Sequence, residues 1–261
     1  MTGWVSRIRK FEKTLLINCR IIKLRIFGTM KKSLLLLLVF FYLLPLRAQD
    51  MLWGFQFKSG IATQDFYEAS GRLVVPELAI FTNYQVPNLP FEVGLSLGFG
   101  LYGTQLEKRN DLYVGFNDEL RLRRNNNTLS MAGVFRFFPQ VYGKVFPFVE
   151  AQLGALYGYT RFKIREDAFS EPMELERDMG SWARLSQLGG GVMIPLGKEL
   201  KTNLELRLMY QNTGRLEYLT KGDVTYVPDP DGQVNGTFEY RPRRSTFNMI
   251  QPSIGLSFYF D

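Results

Sequence analysis

Six charged side chains occupy positions that alternate with large apolar neighbours: Lys58, Glu92, Arg136, Glu150, Glu205 and Arg207. On β-strands that alternation turns them all to one face, away from the apolar one. A buried charge is costly unless it is paired, so these residues are expected to form a lumen charge cluster. It reads either as a salt-bridged plug or as a gate for ions or protons. Two basic clusters, Arg121-Leu122-Arg123-Arg124 and Arg241-Pro242-Arg243-Arg244, carry a second chemistry. Arginine binds phosphate through two parallel hydrogen bonds, so Arg121, Arg123, Arg124, Arg241, Arg243 and Arg244 are candidate contacts for lipopolysaccharide phosphates. The alternative is a pair of solvated loops balanced by their own acids.

Other chemistries are excluded or weak. The chain has no histidine, the usual proton-transfer group near neutral pH. A Ser-His-Asp triad cannot be assembled, and zinc would lack its preferred ligands, Cys19 being the sole cysteine. Asp229, Asp231, Asn235 and Glu239 have the look of a calcium loop. However, Gln233 and Val234 stand where such a loop needs a ligand and a glycine, which favours plain turn chemistry. No catalytic residue, metal or cofactor is expected.

The elements that must position these residues are best seen in Phe91–Tyr102. Phe91, Val93, Leu95, Leu97, Phe99 and Leu101 alternate with Glu92, Gly94, Ser96, Gly98, Gly100 and Tyr102. Twelve residues at about 3.3 Å each reach roughly 40 Å, enough to cross a bilayer core when tilted. Glycine weakens a strand, so its recurrence on one face points to a crowded space such as a narrow barrel lumen. A soluble barrel with an apolar interior is the alternative.

The segment from Met30, MKKSLLLLLVFFYLLPLRAQ, has the form of a secretory signal peptide. Residues 30–49 are therefore read as a leader, 1–29 as a gene-start artefact or extended basic region, and 50–261 as the barrel domain. Residues 1–48 hold 10 of the 32 Lys and Arg but one of the 25 acids. The remainder carries 22 basic and 24 acidic groups, net −2 in place of +7. That removes the case for nucleic-acid binding.

Eight strands follow. The first holds Trp53, Phe55 and Phe57; the second runs from about Leu73 to Val86, with Leu78, Ile80 and Tyr84 outward and its register blurred by Ala79 and Phe81. The fourth turns Leu129, Met131 and Phe135 outward, and the fifth Val149, Leu153 and Tyr157. The sixth turns out Leu188 and Val192, the seventh Leu204, Leu206 and Leu208, and the last Ile254, Leu256, Phe258 and Phe260. Long charged connections are expected over Gly103–Asn127, Arg161–Ser181 and Asn212–Thr246, alternating with short turns. The middle of the first, DLYVGFNDELRLR, still alternates and reads as a hairpin projecting beyond the membrane. Long and short connections in alternation describe an all-β, antiparallel up-and-down transmembrane barrel with both termini periplasmic. Adjacent strands lie about 4.8 Å apart. Arg136 on the fourth strand should then meet Glu92 on the third and Glu150 on the fifth, with Glu205 and Arg207 completing the cluster across the barrel.

The leader, eight alternating strands, long outer loops and the closing PSIGLSFYFD together resemble the small outer-membrane β-barrel family, which includes outer-membrane proteins A and X and the PorT-like group. The resemblance implies location in the outer membrane of a Gram-negative bacterium, contact with its lipid and lipopolysaccharide, and no catalysis. It implies a structural, surface-interaction or envelope-maintenance role; a narrow solute channel or an accessory factor for secretion or assembly are the alternatives. It also implies that a barrel-assembly insertase reads Phe258 and Phe260 in the last strand, although Asp261 departs from a terminal aromatic. Any surface or periplasmic protein partner is left unnamed.

Overall fold

The computed structural model describes residues 51–113, 118–139, 143–167, 169–197, 201–228 and 236–259. The leader, the segment before it, Phe260 and the acid-rich turn with Asp229, Asp231 and Asn235 lie outside these residues.

Eight strands close into one antiparallel barrel, every neighbour being also a neighbour in the order of long strands. They are β1 (Met51–Ala62), β2 (Val74–Gln85), β3 (Phe91–Arg109), β4 (Leu120–Phe137), β5 (Phe146–Arg165), β6 (Glu174–Leu196), β7 (Thr202–Thr213) and β12 (Met249–Tyr259). Four short strands stand between β7 and β12: β8 (Arg215–Tyr218) pairs with β11 (Arg243–Thr246), and β9 (Val224–Val227) with β10 (Thr237–Tyr240). β12 pairs with both β7 and β1, which closes the sheet over the height the eight strands share.

The two faces are inverted relative to a soluble barrel. Phe55, Leu78, Leu95, Met131, Leu153, Leu188, Leu208 and Ile254, one from each barrel strand, point outward and are 50% to 71% exposed. Gln56, Lys58, Glu77, Glu92, Arg136, Gln152 and Gln211 point inward and are at most 3% exposed. Water outside would leave the apolar face unsatisfied, whereas hydrocarbon removes that cost, and closure satisfies the backbone. The barrel is therefore of the transmembrane kind, and the apolar-interior alternative is set aside.

The strands differ in length, and this corrects the expected loops. β3 to β6 have 19, 18, 20 and 23 residues, against 12, 12, 12 and 11 for β1, β2, β7 and β12. Much of Gly103–Asn127 and Arg161–Ser181 is thus continued strand, and one side of the barrel projects as a four-stranded sheet. Asn212–Thr246, expected as a loop, continues β7 to Thr213 and then folds into the two short ladders. The stretch after β1 forms a short helix, α1 (Gln64–Ser70), which ends at Gly71 with φ +75°. Seven residues are too few to show a helical period, and the helix is fixed by burial of one side chain, Phe66.

Candidate functional site

The inward charges gather at the end that carries the short turns. Arg136 on β4 is fully buried and sits between its strand neighbours, opposite Glu92 of β3 and Glu150 of β5. Its Nη1 donates to Glu92 Oε2 at 3.1 Å, its Nε to Glu150 Oε2 at 2.9 Å, and its Nη2 to Glu205 Oε2 at 3.3 Å. Arg207 donates to Glu150 Oε1 at 3.3 Å through Nη1 and to Glu205 through Nε at 3.0 Å. Asn83 Nδ2 adds a donor to Glu92 at 3.0 Å and Gln152 Nε2 one to Glu150 at 2.6 Å. The faces of the guanidiniums are also covered: Arg136 lies 4.3 Å from the Phe148 ring centre and Arg207 4.4 Å from that of Phe81. Cation–π contact gains strength when both partners are desolvated, as here. This explains why Phe81, which blurred the register of β2, belongs in the lumen.

Lys58 is inward but does not join that group. It pairs with Glu77 of β2 at 3.0 Å, and Ser130 Oγ donates to the same carboxylate oxygen at 3.1 Å. A Cβ at Gly98 would collide with the Glu77 carboxylate and the Ser130 hydroxyl, so the glycine holds this pair's space open. Glu77 was missed in sequence, although strict alternation from Leu78 puts it inward. A glutamine belt lies nearby, in which Gln187 Nε2 donates to Gln211 at 2.7 Å and to Gln251 at 3.0 Å.

The loop end of the lumen is apolar. Phe66 of α1 stacks on Phe247 with ring centres 4.0 Å apart, and Tyr218 and Tyr102 meet Phe247 edge-on at 4.8 and 5.5 Å. Leu216, Leu156, Leu185 and Met249 complete a buried cluster across the mouth. A Cβ at Gly158 would strike the Leu216 side chain, so this glycine admits the cap. Arg243 Nε reaches both oxygens of Asp223 at 2.9 and 2.8 Å, and its Nη1 reaches the Ala69 carbonyl, tying the ladder to α1. Burial raises the Asp223 carboxyl, but hydrogen bonds from Arg243 and Thr220 outweigh it and hold the group below the usual carboxylate range. The β9–β10 hairpin packs Tyr226 and Phe238 on the inner face of the projecting sheet, against Leu120, Leu122, Phe162 and Ile164.

The basic clusters are divided by this architecture. Strand alternation turns Arg121 and Arg123 outward but buries Arg124, which binds Asp178 at 2.9 Å and lies 5.2 Å from the Phe238 ring centre. Arg124 is therefore not placed to meet a headgroup. Arg243 is likewise engaged with Asp223. Arg241 is exposed, and Arg244 is exposed 3.9 Å from Glu217. Phe258 faces outward beside Phe55, with ring centres 6.2 Å apart across β1 and β12. Among the described residues no group of His, Cys, Asp and Glu is arranged to hold a metal ion.

No protein-family model matches the chain, and no curated protein matches it. Among solved structures it is similar to Neisserial surface protein A, at 10% identity over 81% of this chain and 97% of that one, with a TM-score of 0.39. It is also similar to Ail, the attachment invasion locus protein of Yersinia pestis (13% identity, 80% and 97% covered, TM-score 0.39). A third is the outer membrane protein OprG of Pseudomonas aeruginosa (15% identity, 82% and 97% covered, TM-score 0.39).

Proposed function

We propose that this chain is a non-conducting, non-catalytic barrel of the outer membrane of a Gram-negative bacterium, with both termini periplasmic and residues 30–49 removed as a signal peptide. Its role is structural or one of surface interaction, exercised through the projecting sheet and the loop-built cap. The observation that carries this reading is the packed lumen. A buried ion cluster at one end and the Phe66–Phe247–Tyr218 cap at the other occupy the space a solute would need. An eight-stranded barrel has room for side chains and little else, which weighs against the channel alternative. Protein reconstituted in planar bilayers is expected to give no discrete conductance steps; stable single-channel steps would overturn the reading. Alkaline extraction of the protein from envelopes would overturn the membrane assignment itself. An insertase that reads the final strand should need Phe258 and Phe260, so deletion of residues 258–261 should sharply lower the heat-modifiable folded form. Cross-linking in intact cells names the partner, and a secretion or assembly complex recovered there would favour the accessory-factor role.

A further inference from the structure

The projecting sheet is electrically two-sided. Above the lipid-facing band, β3 to β6 offer eleven outward positions: 104, 106 and 108; 121, 123 and 125; 161, 163 and 165; 175 and 177. Seven are Lys or Arg and none is acidic; the others are Thr104, Leu106, Asn125 and Leu175. The acids of the same stretches, Glu107, Glu174, Glu176 and Asp178, take the inward side, Asp178 at a register shift beside buried Arg124. The outward cations also face one another. Lys108 stands opposite Arg121, Arg121 opposite Arg165, Arg123 opposite Lys163, and Arg161 opposite Arg177. Like charges directly opposite destabilise a sheet; Lys108 is relieved by Glu119 and Arg165 has a contact of its own, so the uncompensated charge centres on Arg121, Arg123, Arg161 and Lys163. Among the described residues Arg121, Arg161 and Lys163 have no hydrogen-bond or ion-pair partner, and Arg123 has only Asn125, at 3.3 Å. Glu119 pairs with Lys108, and Asp167 shares with Arg121, Arg123 and Lys163 the lining of a cleft of about 320 Å³.

The height of this face identifies its occupant. Directly below it Tyr157, Tyr159 and Trp182 stack with ring centres 5.4 and 4.6 Å apart, and Arg177 Nη1 donates to the Tyr157 hydroxyl at 2.8 Å. Aromatic residues of this kind mark the boundary between hydrocarbon and headgroups. The cations begin two residues above Tyr159 and continue in three rows about 7 Å apart along the strands. A phospholipid offers phosphate at one depth, whereas a phosphorylated glycolipid can offer it at several. We infer that the outward face of β3–β6 is a docking surface for the phosphorylated headgroup of an outer-leaflet glycolipid, held chiefly by Arg121, Arg123, Arg161 and Lys163. This rests on the membrane reading above.

The test uses the folded full chain in phosphatidylcholine nanodiscs doped with a glycolipid phosphorylated on both its lipid A and its inner-core sugars, or with the same glycolipid stripped of phosphate. The lipid retained per barrel after detergent exchange is then counted. Wild type should retain the phosphorylated form about tenfold over the stripped form. R123Q/K163Q, and R161Q as a milder variant, should lose most of that preference while staying heat-modifiable, and R244Q should keep it. Equal retention by wild type and variants, or no preference for phosphate, would overturn the surface. Saturable binding of inorganic pyrophosphate to barrels in undoped nanodiscs, with no preference for the phosphorylated glycolipid, would make free phosphate the occupant and also overturn it. A chain that fails to fold into undoped nanodiscs speaks against the membrane reading instead.

Discussion

The two ends of the lumen are filled by opposite means. At the turn end, charged side chains that the barrel strands themselves supply meet across the bore. At the loop end, aromatic side chains brought in from α1 and the β8–β11 ladder close over the mouth. The first filling is specific but unforgiving, because each carboxylate depends on a named guanidinium. The second is distributed, because the buried rings and aliphatic chains touch one another in a group and none depends on a single named partner.

The largest expected effect comes from breaking the charged end. Arg136→Met leaves three buried carboxylates with Arg207 alone and should cost about 3–5 kcal/mol, measured by urea unfolding in lipid vesicles. Glu92→Gln should cost far less, because Asn83 and Arg136 can still bond an amide oxygen and one of three acids is removed. The double variant should be less destabilised than Arg136→Met alone. Additive effects would show that the two residues do not couple. If the two ends are separate, Arg136→Met should also stay electrically silent, since the cap is intact.

Next in size is Phe247→Ala, which removes the ring that Phe66, Tyr218 and Tyr102 all touch. A loss of about 3 kcal/mol is expected, in the range for buried Phe→Ala, with protease cleavage appearing in residues 214–248 before the strands unfold. Conductance in Phe247→Ala but not in Arg136→Met would place the tighter barrier at the cap; the reverse would place it at the charges.

How much of this was legible follows from what each part is made of. Outward and inward positions of β3, β5 and β7 could be read directly, since strict alternation over a dozen residues admits one assignment. Glu77 escaped because Phe81 shares its face, and only the stacking on Arg207 explains an aromatic ring in a polar bore. Of DLYVGFNDELRLR, expected to be a hairpin, only Leu120–Arg123 belong to the projecting sheet, and residues 114–117 lie outside the described ones. The extent of the sheet was hidden because charged outward residues there imitate a loop. The cap was invisible: Phe66, Tyr218 and Phe247 stand in turn-rich segments with no period, and only the closed barrel brings them together. Arg121–Arg124 looked like one cluster because linear spacing cannot show that a strand sends Arg123 and Arg124 to opposite sides.

Smaller effects test how the cap is moored. The Asp223 carboxyl is held below its ordinary range, so its contribution is present above the unfolded carboxylate range and lost as pH falls through the lower, folded value. Loop protection from proteolysis or hydrogen exchange should fall over that acidic window, and Asp223→Asn should remove the dependence. Arg243 is 43% exposed, so screening should keep the loss to about 1 kcal/mol or less. The smallest change should be Arg244→Ala. Its pair with Glu217 spans 3.9 Å with both groups exposed, and the expected cost is below about 0.5 kcal/mol.

The stack of Phe66 on Phe247 also has a meaning in time. These rings lie just beyond the top of β1 and just before β12, the first and last strands, so they meet across the joint that closes the cylinder. Hydrogen bonds accompany them, from Thr63 N to Asn248 O at 2.9 Å and from Asn248 Nδ2 to Gln64, residues 184 positions apart, at 2.9 Å. Contacts between chain ends come at the highest loop-closure entropy and form late. The rings are therefore expected to engage as a clasp once the final strand has docked. A half-inserted chain would still display both rings unburied, whereas a finished one hides them. Burial of Phe66 and Phe247 is in that sense the molecule's own record that assembly has ended.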